Sequence, residues 1–123
     1  MSLSLVASGS MWNVIESLEW KKQAGEQHRY YLKVAKFLKT NCDDEFIKQV
    51  REFVSERTAV LRNAIEEAEG RNHTRYWNGG DDSFDDVLHQ CVGNGEEFYN
   101  EILFNPEQLI DVDYVESFVY CFQ

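Results

Sequence analysis

The sequence WNGGDDSFDDVLHQC, residues 77–91, is the stretch that predicts the fold most directly. A glycine pair leads into four aspartates, and apolar residues then recur at Phe84, Val87, Leu88 and Cys91. Their i, i+3, i+4, i+7 spacing places them on one face of an α-helix. Asp82 or Ser83 is expected to cap that helix, because either side chain can accept a hydrogen bond from an early backbone N–H group.

Three helices are predicted before this one from the same spacing of apolar residues. The first should follow Ser10, and its apolar positions are Met11, Val14, Ile15 and Leu18. The second should follow a break at Ala24-Gly25, and its apolar positions are Tyr30, Tyr31, Val34, Ala35, Phe37 and Leu38. The third should be the longest, about 40 Å over residues 43–69. Gly70 is expected to end it, because glycine readily takes the left-handed turn after a helix; a break near Ser55 is an open alternative.

Shorter elements are predicted after the fourth helix. Gly93-Asn94-Gly95 should end it, and the apolar positions of a short fifth helix are Phe98, Tyr99, Ile102 and Leu103. Asn105-Pro106 can start a further turn, since proline fits the first position of a helix. Residues 114–122 fit a helix or a strand, and helix is favoured because their alternation is poor. The predicted fold is all-α: a single compact multi-helix bundle with one long central helix and several short C-terminal helices.

Composition indicates a chain that folds around its own core. With 43% apolar and 14% aromatic residues, a chain of this length can bury roughly two thirds of its unfolded surface without disulfides or a metal. The three cysteines are odd in number and form no CxxC pair, which favours reduced thiols and a cytoplasmic location. No apolar run approaches the roughly 18 residues of a membrane-spanning helix, so no membrane association is expected.

The first ten residues are treated separately from the rest. Ser8-Gly9-Ser10 directly precedes Met11 and is typical of a junction from an expression vector. Residues 1–10 are therefore expected to be either a leader or an added segment. Residues 11–123 are expected to form a single helical domain.

Several positions between residues 78 and 109 form a pattern: Asn78, Gly79, Gly80, Asp81, Asp82, Ser83, Phe84, Gly95, Glu97, Tyr99, Leu103, Pro106 and Leu109. This pattern resembles an uncharacterised bacterial family, the domain-of-unknown-function family numbered 4240. Family members often carry Arg and Trp where this chain has Leu88 and Gln90. They also have small residues between the glycines and the acid pair, whereas here Gly80 runs directly into Asp81. The resemblance implies a small, mainly helical domain and no activity.

Charge is distributed unevenly along the chain. Residues 1–70 carry 10 Lys or Arg and 11 Asp or Glu, whereas residues 71–123 carry 2 and 11, a net of −9. Such a surface repels phosphates, so nucleic-acid binding is not expected. It favours a basic protein partner, because complementary charge accelerates and directs association. Immunity proteins that neutralise basic nuclease toxins use the same physics.

The predicted partner-binding residues, here called the acidic surface, are Asp81, Asp82, Asp85, Asp86, Glu96, Glu97 and Glu101. The aspartates have a structural alternative, because first-turn carboxylates stabilise a helix by about 0.3–1 kcal/mol each. A Mg²⁺ or Ca²⁺ site is a second alternative, although the spacing lacks the ligands and central glycine of an EF-hand loop. The lead prediction is a non-enzymatic interaction or regulatory protein. The alternative is a metal-dependent or hydrolytic enzyme with its site near Gly79-Gly80.

A candidate cleft beside the glycine pair is predicted from His73, Tyr76 and Trp77. No pair of residues has zinc-ligand spacing, so neither a metal, a cofactor nor a catalytic residue is assigned. Trp12, Trp20 and Trp77 are expected to be core or rim residues, since aromatic side chains carry large buried areas. Trp20 falls off the apolar stripe of the first helix, so exposure is an alternative for it, and an exposed Trp20 would be a candidate interface residue. A homodimer in which such exposed aromatic residues pair is a further alternative.

Overall fold

The structure, a computed structural model, describes residues 11–123, and the Ser10 cap and the other expectations for residues 1–10 lie outside that range. The α-helices are α1 (Met11–Ser17), α2 (Gln27–Asn41), α3 (Asp44–Asn72), α4 (Asp81–Gly93) and α5 (Glu96–Phe104). Three 3₁₀ segments follow or separate them: Lys21–Gln23, Pro106–Asp111 and Phe118–Phe122. The predicted all-α bundle is confirmed. Within the described range no helix is both long and apolar enough to cross a bilayer.

Helix α3 is the long central helix, and it runs through Ser55 without a break. Asp43 caps its start by accepting a hydrogen bond from the backbone N–H of Phe46 over 2.8 Å. Its buried positions recur every three or four residues: Ile47, Val50, Val54, Thr58, Leu61, Ile65 and Ala68. The Thr58 hydroxyl donates to the Val54 carbonyl over 2.7 Å, so the one hydroxyl in this row is satisfied.

The predicted end of α3 at Gly70 is wrong. The helix continues to Asn72, and His73 takes the left-handed conformation, with φ of 54°, that ends it. A glycine inside a helix costs about 0.5–1 kcal/mol relative to alanine. Residues 70–72 are exposed, so packing does not hold the last turn; the Arg71 guanidinium pairs with Glu67 one turn earlier, and such an i, i+4 pair offsets part of that cost.

Trp20 is a core residue, as expected for a large aromatic side chain, and the alternative in which it lies exposed is wrong. Helix α1 ends at Ser17, so the positions after it no longer follow helical spacing. A turn with Glu19 at φ of 57° then directs the indole inward. Its ring centroid lies 5.1 Å from that of Phe118 and 6.2 Å from that of Tyr30. With 1% of its surface exposed, Trp20 cannot act as an interface residue.

Helix α2 packs against the C-terminal 3₁₀ segment Phe118–Phe122. The buried positions of α2 are Gln27, Tyr30, Val34 and Leu38. Phe118, Cys121 and Phe122 are buried in the facing segment. A 3₁₀ helix has three residues per turn, so Phe118 and Cys121 share one side of it. The favoured helical assignment for residues 114–122 therefore holds only for the last five, in the tighter 3₁₀ form.

Helix α4 begins at Asp81, so the predicted capping by Asp82 or Ser83 is wrong. Gly80 occupies the cap position, and the Ser83 hydroxyl donates instead to the Gly80 carbonyl over 2.9 Å. Trp77 Nε1 donates to the same hydroxyl over 3.1 Å. Two consecutive hydrogen bonds thus hold the turn that leads into α4.

Gly93 lies where α4 approaches the core most closely. A Cβ at this position would lie 2.8 Å from Cδ1 of Trp20 and 2.9 Å from Cδ1 of Phe118, closer than such atoms can pack. Gly95, with φ of 102°, then turns the chain into α5. The predicted stop at Gly93-Asn94-Gly95 is confirmed.

Alanine at the two helical glycines should change stability in opposite directions. Gly70→Ala should raise the free energy of unfolding by about 0.5–1 kcal/mol, because alanine restricts the unfolded chain and the site has open space around it. Gly93→Ala should lower it by about 1–3 kcal/mol, because the added methyl group overpacks two buried rings. Urea unfolding followed by circular dichroism measures both. Equal stability of the Gly93→Ala and unsubstituted proteins would contradict the close approach.

Candidate functional site

A groove of about 600 Å³ lies between α4, α5 and residues 108–115. Known ligand pockets span about 300–1,000 Å³, so its size is that of a binding site. Its floor consists of the buried or half-buried amide residues Gln27, Gln90 and Asn94. Its rim carries the exposed charged residues Lys21, Glu101, Asp111 and Asp113.

The floor is a hydrogen-bonded network of side-chain amides. Gln90 Oε1 accepts from Trp20 Nε1 over 3.2 Å. Gln90 Nε2 donates to Gln27 Oε1 and to Asn94 Oδ1, each over 3.1 Å. Gln27 Nε2 donates to the Trp20 carbonyl over 2.7 Å. The network joins α2, α4 and the turn after α1, and it places polar groups at the base of the groove without burying a charge there.

The network also reaches the C-terminal segment and the open groove. Ser117 Oγ donates to the Gln27 carbonyl over 3.1 Å, which fixes the chain just after residues 108–115. Because Asn94 Oδ1 faces Gln90, the two N–H groups of the Asn94 amide face away from that contact. Asn94 is half-buried and lines the groove, so this amide is available to a bound group.

Aromatic side chains line the groove between floor and rim. The Lys21 ammonium lies 5.5 Å from the centroid of the Phe98 ring, a cation–π distance. Tyr114 is 38% exposed and packs edge-on against Trp77, with ring centroids 5.4 Å apart. That contact connects the Tyr114 ring to the loop that precedes α4 and restricts its movement.

The acidic surface consists of two parts in the structure. The aspartates occupy the first two turns of α4, whereas Glu96, Glu97 and Glu101 lie on α5. Helix α4 has 13 residues, about 20 Å at 1.5 Å per residue, and it separates the two parts. Glu96, Glu97 and Glu101 line a second cavity of about 210 Å³. This cavity shares four lining residues with the groove: Lys21, Asn94, Phe98 and Glu101.

Asp85 differs from the other members of the acidic surface because it forms an ion pair with Arg62 of α3. The Arg62 guanidinium also lies 5.2 Å from the centroid of the Phe84 ring. His89, one turn after Asp85, is half-buried, and burial followed by the Arg62 charge lowers its pKa. Asp85 and His89 therefore belong to the contact between α3 and α4 rather than to a free surface.

Asp86 lies among other carboxylates. Burial raises its pKa, and the nearby charges of Glu116 and Asp82 raise it further. At neutral pH the ionised Asp86 side chain therefore opposes folding. A site that repels its own charges in this way has more to gain from a cationic neighbour than an isolated carboxylate has.

The predicted cleft residues do not line a common cavity, and only Trp77 borders one. His73 is exposed at the end of α3, while Tyr76 and Trp77 are half-buried. The Tyr76 backbone N–H donates to Glu69 Oε2 over 2.7 Å, which fixes the loop to α3. The cavity beside Trp77 measures about 30 Å³, room for about two water molecules. Within residues 11–123, no three His, Cys, Asp or Glu side chains are grouped to hold a metal ion.

The cysteines do not contribute to the groove. Cys91 and Cys121 are buried free thiols, and burial raises the pKa of each to about 12. The protonated thiol is a poor nucleophile, so both are packing residues at neutral pH.

Sequence reasoning missed the three floor residues Gln27, Gln90 and Asn94. A signal was present, because Gln27 lies three residues before Tyr30 on the inner face of α2, and Gln90 lies within the apolar run of residues 87–92. Glutamine at a buried position requires hydrogen-bond partners. Those partners lie 63 residues apart in sequence, so spacing alone does not pair them.

Comparison with known proteins places the chain in a family. The family model described as "Protein of unknown function (DUF4240)" matches residues 8–121. No curated protein and no solved structure matches the chain.

Gln90→Leu should destabilise the fold by at least about 2 kcal/mol, because it leaves the indole N–H of Trp20 and the side-chain oxygen Oε1 of Gln27 buried without these partners. Gln108→Leu is the matched control, since Gln108 is exposed at the groove and should change stability by less than about 0.5 kcal/mol. Thermal unfolding of both proteins measures the difference. Equal unfolding temperatures would show that the network does not stabilise the fold.

Asp86→Asn should stabilise the protein at neutral pH and not in acid. Since the folded-state pKa of Asp86 is raised, its favourable contribution is present below the ordinary aspartate pKa and is lost as pH rises through the folded value. Removing the charge should gain less than about 1 kcal/mol at pH 7, because the side chain is partly solvated. Urea unfolding at pH 7 and at about pH 3.5, with Glu107→Gln as control, measures this. A gain that persists unchanged in acid would contradict it.

Proposed function

The chain belongs to the DUF4240 family of proteins of unknown function. For this member of the family we propose a cytoplasmic, non-enzymatic role in which it binds a basic protein partner. The contact is made by the acidic surface, chiefly by its unpaired members on α4 and α5. The observation that supports this proposal is the absence of internal neutralisation. Within residues 11–123, six of the seven carboxylates of the acidic surface form no ion pair with a Lys or Arg, and Asp85 alone does.

The distribution of positive charge supports the same proposal. After Arg75 the chain has no Lys or Arg. Helix α2 carries several exposed cations, including Arg29, Lys36 and Lys39, and its main packing partner is the C-terminal segment Phe118–Phe122. The negative charge is therefore available to a partner, and complementary charge would raise the rate of association and select basic surfaces.

The ion pair of Asp85 makes this residue unsuitable for testing the acidic surface by mutation, whereas Glu96 and Glu97 are suitable. Asp85 pairs with Arg62, so its replacement would alter the contact between α3 and α4 as well as the surface charge. Glu96 and Glu97 are exposed and form no ion pair with a described residue. Glu52 and Glu56 on α3 are also exposed, so Glu52→Gln with Glu56→Gln makes the same change of net charge elsewhere.

Glu96→Gln with Glu97→Gln should weaken capture of a basic partner by about tenfold, as expected for the loss of two exposed charge contacts. The Glu52 and Glu56 control should capture it normally. Capture from a lysate of the source cells, with identification by mass spectrometry, should also weaken as ionic strength rises from about 0.05 to 0.5 M. Capture that resists salt and survives the Glu96 and Glu97 changes would refute the proposal.

A further inference from the structure

We propose that the groove selects an arginine side chain from the basic partner segment that approaches the acidic surface. This inference rests on the proposed function and specifies which residue of the partner enters. The acidic surface and the groove share Glu101, so a segment that follows α5 would pass over the opening.

Charge favours a cation in the groove. Glu101, Asp111 and Asp113 are exposed at the rim, and Lys21 is the one Lys or Arg among the lining residues of the described chain. The Lys21 ammonium already lies against the Phe98 ring, which places it at one side of the groove. The three carboxylates therefore remain available to an incoming positive group.

The shape and chemistry of the lining favour a guanidinium over an ammonium. Tyr114 presents a partly exposed ring fixed by its contact with Trp77, and a guanidinium stacks on aromatic faces more readily than a strongly hydrated ammonium does. Arginine also presents five N–H donors in one plane, which suits several separate acceptors. Asp111 and Asp113 lie on the same segment as Tyr114 and supply such acceptors beside its ring.

The uncharged floor places no cation at the base of the groove to repel an incoming guanidinium. Gln27 and Gln90 are 5% and 2% exposed and hydrogen-bond each other, so the base of the groove is polar but carries no charge of its own. A weakly hydrated, planar cation can approach such a surface and still reach the carboxylates above it.

Two short peptides of equal length and equal charge test the inference directly. One carries arginine as its only cationic residue type and the other carries lysine, in the same glycine and serine background. Titration calorimetry against the full chain should give an affinity about threefold to fivefold higher for the arginine peptide, the size of an exposed cation–π contact. N-acetylarginine amide, tested in parallel, should bind much more weakly than the arginine peptide.

Two groove variants, each with a matched control, localise the effect. Asp111→Asn with Asp113→Asn, and separately Tyr114→Ala, should abolish the preference for arginine. Glu107→Gln and Tyr120→Ala should keep it, because Glu107 is exposed outside the groove and Tyr120 is exposed to the same extent as Tyr114, 37% against 38%. The double aspartate variant keeps the contact between Tyr114 and Trp77. It therefore tests the preference for arginine even if Tyr114→Ala does not fold.

Each other outcome overturns the arginine pocket. Equal binding of the two peptides, with loss only in the Glu96 and Glu97 variant, leaves the proposed function intact and removes the pocket. Binding of N-acetylarginine amide as tight as that of the peptide makes the groove a small-molecule site. No binding of either peptide also rejects the pocket, and lysate capture then decides the proposed function separately.

Discussion

A buried indole that requires a hydrogen-bond acceptor is the constraint on which the centre of this molecule depends. Trp20 is almost completely enclosed, and its N–H donates to Gln90. Gln90 is held in turn by Gln27, and the space for the ring exists because Gly93 has no side chain. One aromatic residue after a seven-residue helix therefore fixes the relation of α2, α4 and the C-terminal segment. The groove is the solvent-facing side of the same arrangement.

Local periodicity predicted the helices well where the apolar residues followed one another on a single face. The spacing from Phe84 to Cys91 predicted α4, and the glycines at residues 93 and 95 predicted its end. The errors arose where contacts outside the local pattern decide the outcome. Gly70 remains helical in an exposed last turn that carries the ion pair between Glu67 and Arg71, so a residue that commonly ends helices does not end this one.

The site was harder to predict than the fold for a physical reason. The acidic residues can be identified from the sequence alone, because the charge of a side chain does not depend on its neighbours. The groove instead depends on pairs such as Gln27 with Gln90, which only folding brings together. Sequence reasoning correctly identified the strong negative charge of residues 71–123. It could not show that Arg62 neutralises one aspartate while the others remain unpaired, because that contact joins α3 to α4. Recognition of a basic partner remains a prediction.

The shared use of Gln90 by core and groove has an evolutionary consequence. A substitution that removes the Gln90 side-chain amide would deprive Trp20 of its acceptor and would change the base of the groove at the same time. Change at this site is therefore expected to accompany change at residue 20 or residue 27. The chemistry of the groove and the stability of the core cannot then vary independently.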